Sequence, residues 1–519
     1  MALESLDTTL RDGSQCEGIS FTIADKLAII SALDDFGVDI IECGNPYSNP
    51  KDNQLFELLK GKKTKKARLA AFGVTKKKGT KASEDPNLLA MLGSGAQVVT
   101  IVGKSSIFQA SSVIGATPEQ NLEMVYDSVS FLASRGAAVY FDCEHFFTGF
   151  AEDSNYAMSV ASAAIAAGAS CIVLCDTNGE AMPWQVADIA SQMCASHPGK
   201  VGVHFHNDKE LAVANTIEAV RAGAFHFQGT FNGFGERCGN TRLSTVMALL
   251  AASGQIEGVD LSLLTGTARL IAEVSDMPVD PSSPYVGKNA FSHKGGLHID
   301  AVLKNPATYE HNDPAVFGNE RHLLVSEVSG RAAIHSLVEK LSGEAGKDSE
   351  KTQAAIALIK AKEADGYQYE SAQASLELLV MQSLGIFNPP YKVDLYRVIG
   401  EKNLGSPSNI ASAIVKATVG EKTKISAAEG NGPVNALDLA LRKTLISFFP
   451  SLSSLVLTDY KVRVIDSASA TAAKVRVVMS YSNQYGSFGT VGVSTDVIDA
   501  SFKALLDSFA FHLLQEELP

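Results

Sequence analysis

The sequence predicts an α/β protein whose first half is a (β/α)8 TIM barrel. Short apolar segments recur eight times over about 250 residues, the usual length of such a barrel. Each segment ends in polar residues, and amphipathic helical segments separate them. This alternation of strands and helices is typical of a closed parallel barrel. An open doubly wound sheet is the alternative, but no GxGxxG motif follows an early strand to support a dinucleotide site.

The polar residues at the ends of the predicted strands are the candidates for an active site, because barrel enzymes keep their chemistry at the carboxyl ends of the strands. The predicted strands are Leu3–Thr8, Val38–Cys43, Arg68–Gly73, Val98–Gly103, Ala138–Cys143, Cys171–Asp176, Val201–His206 and Phe225–Phe231. Helices are predicted between them, for example over Ile23–Phe36, Pro118–Ser134 and Asn155–Ala167. The polar residues that follow the strands include Asp7, Glu42, Glu144, Asp176, Thr177 and Asn232.

The stretch Val201–Asp208 carries the clearest chemical signal. Residues two apart on a strand face the same side, so His204 and His206 project together with their Cα atoms about 7 Å apart. Two imidazoles at that spacing can bind one metal ion. A helix is predicted over Glu210–Arg221, which puts the pair at the carboxyl end of its strand. Two strand-end histidines that only bond to their neighbours are the alternative.

Two further residues are candidate metal ligands. Asp12 lies just past the first strand, and a carboxylate there could complete a site with the histidine pair across the barrel mouth. The glycine-rich segment Gly233–Asn240 follows the eighth strand, and Asn240 could supply a fourth ligand through oxygen. A helix-capping aspartate and an ordinary turn are the alternatives. Mixed nitrogen and oxygen ligands suit Mn²⁺, Mg²⁺ or Zn²⁺, and the sequence does not choose among them.

Composition and charge exclude several classes of function. The chain has 519 residues, of which 45% are apolar and 19% charged, as in an ordinary soluble protein. Its net charge of −13 argues against non-specific binding of nucleic acid and against a basic membrane-surface patch. No apolar run reaches the roughly 18 residues of a membrane span. The seven cysteines form no CxxC pair and are predicted to be reduced core residues of a cytoplasmic protein. The first strand begins close to Met1, so no signal or transit peptide is expected.

Three domains are predicted: residues 1–275 form the barrel, 276–388 a connecting region and 389–519 a C-terminal domain. Two histidines and an aspartate lie among the glycines of Phe291–Asp300, and a polar functional loop is favoured there over a solvated linker. Residues 311–385 are predicted to be mostly helical. A repeat of three strands and a helix follows, which predicts a βββα module for binding or assembly. Its predicted elements are strands Tyr391–Ile399, Ile410–Val419 and Lys424–Ala428, helix Pro433–Phe448, strands Leu455–Ile465, Ala473–Tyr481 and Phe488–Ser494, and helix Ile498–Leu514.

Several of these motifs together resemble a known family. Leu6–Gln15, the His204/His206 strand and Gly233–Asn240 are similar to the metal-dependent, acyl-CoA-condensing barrel enzymes that include the 2-isopropylmalate, homocitrate and citramalate synthases. The citramalate branch is the most similar within that family, on motifs at Ser48–Asp52, Phe141–Phe147, Pro284–Gly287, His293–Asp300 and Asn305–His311. Glu429–Asp438 resembles the allosteric domain of the family. The resemblance covers nearly the whole chain.

The resemblance implies roles for individual residues. It places Asp12, His204, His206 and Asn240 around a divalent metal cation. Its other assignments are Arg11 facing the keto-acid oxygen, Thr177 holding the keto-acid carboxylate, Glu144 in the acid–base network, and His298, Asp300 and Tyr309 on the acyl-CoA side. The connecting region would complete the active site from the partner subunit of a homodimer. The chain departs from the family at Asn45, where a bulky or aromatic residue is expected, and at Asn431, where aspartate is commoner.

The implied reaction is the condensation of acetyl-CoA with pyruvate, followed by thioester hydrolysis, with a place in isoleucine biosynthesis and isoleucine as effector. The chemistry fits the residues, because a metal can act as a Lewis acid on the ketone while Arg11 stabilises the alkoxide. His298, oriented by Asp300, is the candidate base for the acetyl-CoA methyl group. No nicotinamide, flavin or ATP is required. The alternatives are a larger keto acid such as 2-oxoisovalerate, and a non-catalytic regulatory protein that binds amino acids.

Overall fold

The computed structural model describes residues 2–323, 337–338, 341, 350–402 and 409–517. The chain forms two compact units. The first unit contains Met1–Phe291 and Asn312–Arg321, and the second contains Ser292–His311 and His322–Pro519. The predicted domain boundaries 1–275, 276–388 and 389–519 stay a prediction.

The first unit is built on a closed barrel of eight parallel strands that follow one another in chain order, with β8 pairing β1. The predicted TIM-barrel fold is therefore confirmed. Each strand lies within three residues of its predicted position. The strands are β1 (Glu4–Asp7), β2 (Ile40–Glu42), β3 (Arg68–Val74), β4 (Val98–Lys104), β5 (Ala138–Glu144), β6 (Cys171–Asp176), β7 (Val201–Phe205) and β8 (His226–Gly229).

Several helices of the first unit begin at a residue whose side chain caps the first turn. Thr22 forms a capping box with Asp25 at the start of one helix, and Thr117 does the same with Gln120 at another. Each side chain satisfies backbone N–H groups that the first turn leaves unpaired. The helices are Ile23–Phe36, Pro50–Leu59, Pro86–Gly93, Ile107–Ser112, Pro118–Ala133, Phe146–Glu152, Ser154–Ala166, Pro183–Ser196, Ala212–Arg221, Leu243–Ala252 and Leu264–Val274.

Alternate residues of the barrel strands face opposite sides, and both sides are covered. Leu6, Ile40 and Val98 belong to an apolar cluster that lies inside the barrel. Their neighbours Ile41 and Val99 belong to a larger cluster between the strands and the surrounding helices. Burial on both faces explains why the strands are nearly continuous apolar runs.

The second unit contains two antiparallel three-stranded sheets, each followed by a helix. This order confirms the predicted βββα repeat. Buried residues of both helices, such as Leu441 and Phe509, share one apolar cluster with the sheets. The elements are strands Lys392–Lys402, Asn409–Val419 and Lys422–Gly430, helix Pro433–Leu445, strands Val456–Val464, Val475–Asn483 and Gly486–Ser494, and helix Val497–Glu517.

The predicted polar loop at Phe291–Asp300 is wrong, because most of it has regular structure. Ser292–His293 is a short strand paired with His322–Leu323, and Gly296–Lys304 is a helix. The helix is anchored by Ile299 and Val302, which lie three residues apart and are both buried. The glycines of this segment suggested a loop, but they lie at the start of the helix rather than inside it.

The segment 311–385, predicted to be mostly helical, lies partly outside the described residues. Within them, Glu350–Ala364 and Gln373–Ser383 are α-helices, whereas His322–Leu323 is a strand. The cysteines form no disulfide, and four of the seven are buried in the barrel, while Cys238 is exposed. None of the helices in the described part of the chain is long and apolar enough to cross a membrane.

Candidate metal centre and active site

The structure brings His204, His206 and Asp12 together at the carboxyl end of the barrel. One ligand atom of each lies within 4.8 Å of the others, and all three side chains are buried. The His204 Nε2 atom lies 3.4 Å from Asp12 Oδ2. Asp12 precedes a short 3-10 helix, Gly13–Gln15, but its side chain makes no capping hydrogen bond. The helix-cap alternative for Asp12 is therefore not supported, and its carboxylate is available to a cation.

Asn240 joins this cluster through the backbone, because it forms an isolated bridge with His206. Its Nδ2 donates to the carbonyl of Phe234 at 3.1 Å, which leaves Oδ1 buried and without a hydrogen-bond partner. Nδ1 of His206 is likewise buried and unpartnered. Buried polar atoms are normally paired. Buried polar atoms without hydrogen-bond partners, next to a carboxylate and two imidazoles, fit a site for a divalent cation.

The loop that carries Asn240 needs its glycines. Gly239 has φ of 87°, and a Cβ there would lie 2.0 Å from the carbonyl oxygen of Gly233. A Cβ on Gly235 would lie 2.2 Å from Nδ2 of Asn240. An L side chain fits neither position. The segment is thus more than an ordinary turn, because its glycines allow the backbone to fold tightly around the Asn240 amide.

The charges of the cluster prepare it for a cation. Burial alone would raise the pKa of Asp12, but the Arg11 charge and the contact with His204 hold that pKa well below its usual range. Burial, together with the charge of His204, lowers the pKa of His206 to about 4. Burial also opposes protonation of His204, yet its contact with Asp12 outweighs this and raises its pKa. Near neutral pH, Asp12 is ionised and His206 is neutral.

Metal binding should therefore release one proton from the two imidazoles rather than two. At a pH below its raised pKa, His204 is protonated and must lose that proton to bind the metal. His206 is already neutral at any pH above its pKa of about 4. The affinity for Mn²⁺ should rise about tenfold per pH unit between about pH 5 and pH 6.5. Titration calorimetry in two buffers of different protonation enthalpy counts the released protons. Release of two protons in that range would contradict these pKa directions.

Arg11 is held by two carboxylates. Its Nε donates to Glu42 Oε2 at 2.6 Å, and its Nη1 lies 3.1 Å from Asp12 Oδ2. Its guanidinium also lies 4.0 Å from the centre of the Phe72 ring. Glu42 accepts further hydrogen bonds from Thr8 and Thr100. Sequence reasoning placed Glu42 at a strand end but gave it no role. The position of Glu42 at the end of β2 could have indicated its contact with Arg11. The strands β1 and β2 are neighbours in the barrel, so the residues that follow them lie close together.

Thr177 and His145 form a second polar group at the barrel mouth. The Thr177 hydroxyl oxygen accepts from the backbone N–H of His145 at 2.9 Å, which leaves its own O–H free to donate elsewhere. His145 has a left-handed backbone, with φ of 57° and ψ of 34°, and its Nδ1 is buried and unpartnered. Such strain in a non-glycine residue is concentrated at functional sites. Sequence reasoning gave His145 no role, although it lies in the Phe141–Phe147 motif directly after Glu144.

Glu144, at the end of β5, accepts a hydrogen bond from Lys104 at the end of β4. Both residues line a cavity of about 630 Å³, whose other wall includes Phe72. The same Phe72 ring contacts the Arg11 guanidinium, so the cavity adjoins the metal cluster. The cavity is mostly apolar along its sides. Its residues are Phe72, Val74, Thr75, Lys76, Lys77, Lys78, Val102, Gly103, Lys104, Val113, Ile114, Met124 and Glu144.

His298, Asp300 and Tyr309 belong to the second unit. The rings of His298 and Tyr309 stack, with centroids 4.0 Å apart and planes 25° apart. Asp300 does not orient His298, because residues two apart on a helix do not face each other. It instead forms an ion pair with Lys304 at 2.5 Å, one turn further along. The sequence-based expectation for this pair is therefore wrong, and Tyr309 is the ring partner of His298.

The side chain of Asn45 is occupied by a turn. Its Oδ1 accepts from the backbone N–H groups of Tyr47 and Ser48, at 2.9 and 3.0 Å. An asparagine at the start of a turn commonly makes such bonds. This departure from the family pattern thus has a local structural reason. At Asn431, the other departure, the backbone N–H donates to Asn435 Oδ1 at 3.1 Å.

Comparison with known families agrees with this architecture. The HMGL-like family model matches residues 2–271. A model described as homocitrate synthase post-HMGL domain-like matches residues 285–366. The LeuA allosteric (dimerisation) domain model matches residues 370–512. The three matches follow one another along the chain and leave only short gaps.

Curated relatives match the chain along nearly its full length. An (R)-citramalate synthase of Aquifex aeolicus is 42% identical over 98% of this chain and 98% of its own. An (R)-citramalate synthase of Geobacter sulfurreducens is 41% identical over 98% of this chain and 97% of its own. A 2-isopropylmalate synthase of Yersinia pestis is 31% identical over 96% of this chain and 93% of its own. The chain therefore belongs to the HMGL-like family, in the group that contains the (R)-citramalate and 2-isopropylmalate synthases.

Proposed function

We propose that the chain is an acyltransferase that condenses acetyl-CoA with pyruvate and hydrolyses the thioester to give (R)-citramalate and CoA. The names of the relatives with about 40% identity support this reaction over the use of a larger keto acid. The observation that carries the proposal is the buried cluster of Asp12, His204 and His206 with Arg11 beside it. This set of groups can bind a 2-oxo acid and stabilise negative charge on its ketone oxygen.

Asp12, His204, His206 and Asn240 are the residues that would hold a divalent cation. When bound, the cation supplies Lewis-acid polarisation of a ketone. Arg11 stabilises the negative charge that develops on the ketone oxygen as its carbon is attacked. Glu42 and Asp12 contact two different nitrogens of its guanidinium, so the group is positioned before the substrate binds. Preorganised charge of this kind does not have to reorganise during the reaction.

The keto-acid carboxylate and the acyl-CoA need separate positions. Thr177 holds the carboxylate through its hydroxyl, since the oxygen already accepts from His145 and the O–H remains to donate. The cavity beside Phe72 takes the acyl-CoA, because its sides are apolar and its outer residues include Lys77 and Lys78. Apolar walls suit the pantetheine arm, and ammonium groups suit the phosphates. Glu144 lies in the same cavity and is proposed to act in the acid–base network of thioester hydrolysis.

Condensation also requires a base that removes a proton from the acetyl methyl group. His298 is proposed for this step, because it is an exposed imidazole whose ring orientation is fixed by Tyr309. The dimerisation domain of the family supports a homodimer, in which this residue is proposed to serve the active site of the partner subunit.

Complementation between two inactive chains tests this arrangement. A His298→Ala chain and an Arg11→Ala chain should each be inactive, and heterodimers of the two should regain activity, because one of their two composite sites is intact. Thiol release is measured after subunit exchange, which a tagged chain demonstrates independently. Mixing two separately tagged His298→Ala chains is the control and should restore nothing. No recovery in demonstrated heterodimers would favour a site built within one chain.

The keto-acid specificity is tested by release of free thiol from acetyl-CoA across a panel of 2-oxo acids. Pyruvate should give the highest kcat/KM, and 2-oxoisovalerate a lower value. An apolar pocket discriminates by only about 1–3 kcal/mol for each methylene, and these two acids differ by two carbons, so the measured ratio of kcat/KM values rather than mere acceptance decides. Chiral chromatography of the product should give the R form. A preference for 2-oxoisovalerate would favour 2-isopropylmalate synthesis. Thiol release with none of the acids would favour a non-catalytic regulatory protein.

The C-terminal βββα repeat is proposed to bind isoleucine, as expected for an enzyme of isoleucine biosynthesis. Cutting the chain near Asn388 should remove inhibition by isoleucine, because effectors act through a coupling of about 1–3 kcal/mol between two sites. Thiol release is measured with isoleucine, and with leucine as the control ligand, on full-length and truncated protein. Circular dichroism establishes that the truncated barrel is folded. Equally strong inhibition of the truncated form would assign the repeat to assembly instead.

A further inference from the structure

The barrel interior holds a column of polar side chains that leads from its amino-terminal end to the candidate metal centre. Glu4 Oε2 lies 3.2 Å from His226 Nδ1, and His226 Nε2 lies 3.4 Å from Gln228 Nε2. Gln228 Oε1 lies 3.0 Å from Nδ1 of His204. His226, Gln228 and His204 are buried. Branched apolar residues normally fill this space in a TIM barrel, so a polar column needs a reason.

With the carboxylates of Glu4 and Asp142 ionised, the hydrogen-bond inventory of the column has one consistent solution. A glutamine amide offers two N–H donors and one acceptor oxygen. Nε2 of Gln228 donates to Asp142 Oδ1 at 3.2 Å, and its second N–H is directed to Nε2 of His226. His226 can accept there because its Nδ1 donates to the carboxylate of Glu4. Both donors of the amide are thus used, and its oxygen faces Nδ1 of His204.

This orientation decides the protonation of His204. The amide oxygen only accepts, so Nδ1 of His204 must carry a proton. In the neutral ring the lone pair then lies on Nε2, the nitrogen that lies 3.4 Å from Asp12 Oδ2. Two acceptors that face each other at this distance are suited to share a cation. Histidine ligands commonly have their other nitrogen fixed in this way by a second group.

The ladder between β7 and β8 explains how the sequence builds the column. His204 is the register partner of Gln228, and Gly202 is the register partner of His226. Register partners in a parallel pair project to the same side of the sheet. A Cβ on Gly202 would lie 2.7 Å from Cδ2 of His226, so the glycine leaves the space that the imidazole occupies. Gly202 and His204 of β7 therefore lie opposite His226 and Gln228 of β8.

We propose that Gln228 is a positioning residue of the metal centre, which fixes the tautomer of His204 that presents Nε2 to the cation. Asp142 and His226 hold the amide in the required orientation, and Glu4 holds His226. This inference rests on the metal site of the proposed function and adds the residue that sets its ligand geometry. Gln228 itself touches neither substrate nor metal.

The test is Mn²⁺ affinity of the full-length chain in the absence of substrates. Gln228→Met keeps the length of the side chain but removes the acceptor, and it should weaken Mn²⁺ binding by about 10–100-fold. Gln228→Glu keeps an acceptor oxygen toward Nδ1 but loses both donors to Asp142 and His226, so it should weaken Mn²⁺ binding less than Gln228→Met does. Gln97→Met is the matched control, because it removes one hydrogen bond, to the backbone of Leu69, elsewhere in the same barrel. It should leave the affinity unchanged.

Unchanged affinity in Gln228→Met would overturn the proposal, and so would equal losses in Gln228→Met and Gln228→Glu. Wild-type protein that binds no Mn²⁺ would instead overturn the metal site and the proposed function with it. A second measurement does not depend on the folding of any Gln228 variant. Ring ¹⁵N shifts of the histidine-labelled, metal-free parent at alkaline pH should show His204 protonated at Nδ1, with its signal assigned by His204→Ala. Protonation at Nε2 would overturn the proposal.

Discussion

Replacing His204 with alanine should abolish measurable Mn²⁺ binding and lower turnover by about 10³-fold or more, because Lewis-acid catalysis contributes several kcal/mol to such reactions. His206→Ala should have the same effect. Both side chains are buried next to Asp12, and each supplies a nitrogen to the cluster. Without one of them, the carboxylate keeps its negative charge but loses part of the ligand set. Metal content after dialysis and thiol release from acetyl-CoA measure the two effects.

A matched control separates loss of the ligand from loss of the fold. His197 lies just past the helix Pro183–Ser196, and its Nε2 lies 3.3 Å from the hydroxyl of Ser162. His197→Ala removes an imidazole of similar size from the same unit and should retain full metal content and turnover. Circular dichroism of the three variants should match the parent. Parental metal content and turnover in His204→Ala would show that the cluster is not a metal site.

Replacing Arg11 with lysine should lower kcat by about 10²–10³-fold, the usual cost of losing one group that stabilises an oxyanion. The KM for acetyl-CoA should change by much less. The two groups carry the same charge, but the guanidinium reaches Glu42 through Nε and Asp12 through Nη1 at the same time. A single ammonium cannot reproduce that planar arrangement or the contact with Phe72. The negatively charged oxygen that develops from the ketone would therefore lose the guanidinium that is held in place to stabilise it.

Arg135→Lys is the control for the general effect of this substitution. The Arg135 guanidinium also lies over an aromatic ring, 3.9 Å from the centre of Phe131, but outside the candidate site. The control should keep the turnover of the parent. Steady-state kinetics on both variants, with acetyl-CoA and pyruvate varied separately, give the separate effects on kcat and KM. An Arg11→Lys enzyme with unchanged kcat would remove Arg11 from the mechanism.

The sequence alone was sufficient for the elements of the fold and for the position of the histidine pair. Strands and helices are encoded by local periodicity, and several helices start at capping residues such as Thr22 and Thr117, which act on their own first turn. The spacing of His204 and His206 lies within one strand, where side chains alternate. The prediction that both project into the same site therefore required no knowledge of the barrel. The strand order then placed Asp12 near them.

Predictions from local sequence patterns were wrong where the local structure depends on contacts with residues elsewhere in the chain. The glycines near His298 suggested a loop, but burial of Ile299 and Val302 stabilises a helix there. The helix then separates His298 from Asp300, because residues two apart on a helix point in different directions. His145 gave no sequence signal for its left-handed backbone.

Only the tertiary structure decided which groups contact the reactive residues. Glu42 reaches Arg11 because closure of the barrel brings the ends of β1 and β2 together. Gln228 reaches His204 because the register between β7 and β8 makes them partners. Such contacts join residues far apart in the chain, and a shift of one residue in register would turn these side chains to the opposite face. The sequence by itself determined the secondary-structure elements and the types of the candidate ligands. Barrel closure and strand register decided which side chains position those ligands.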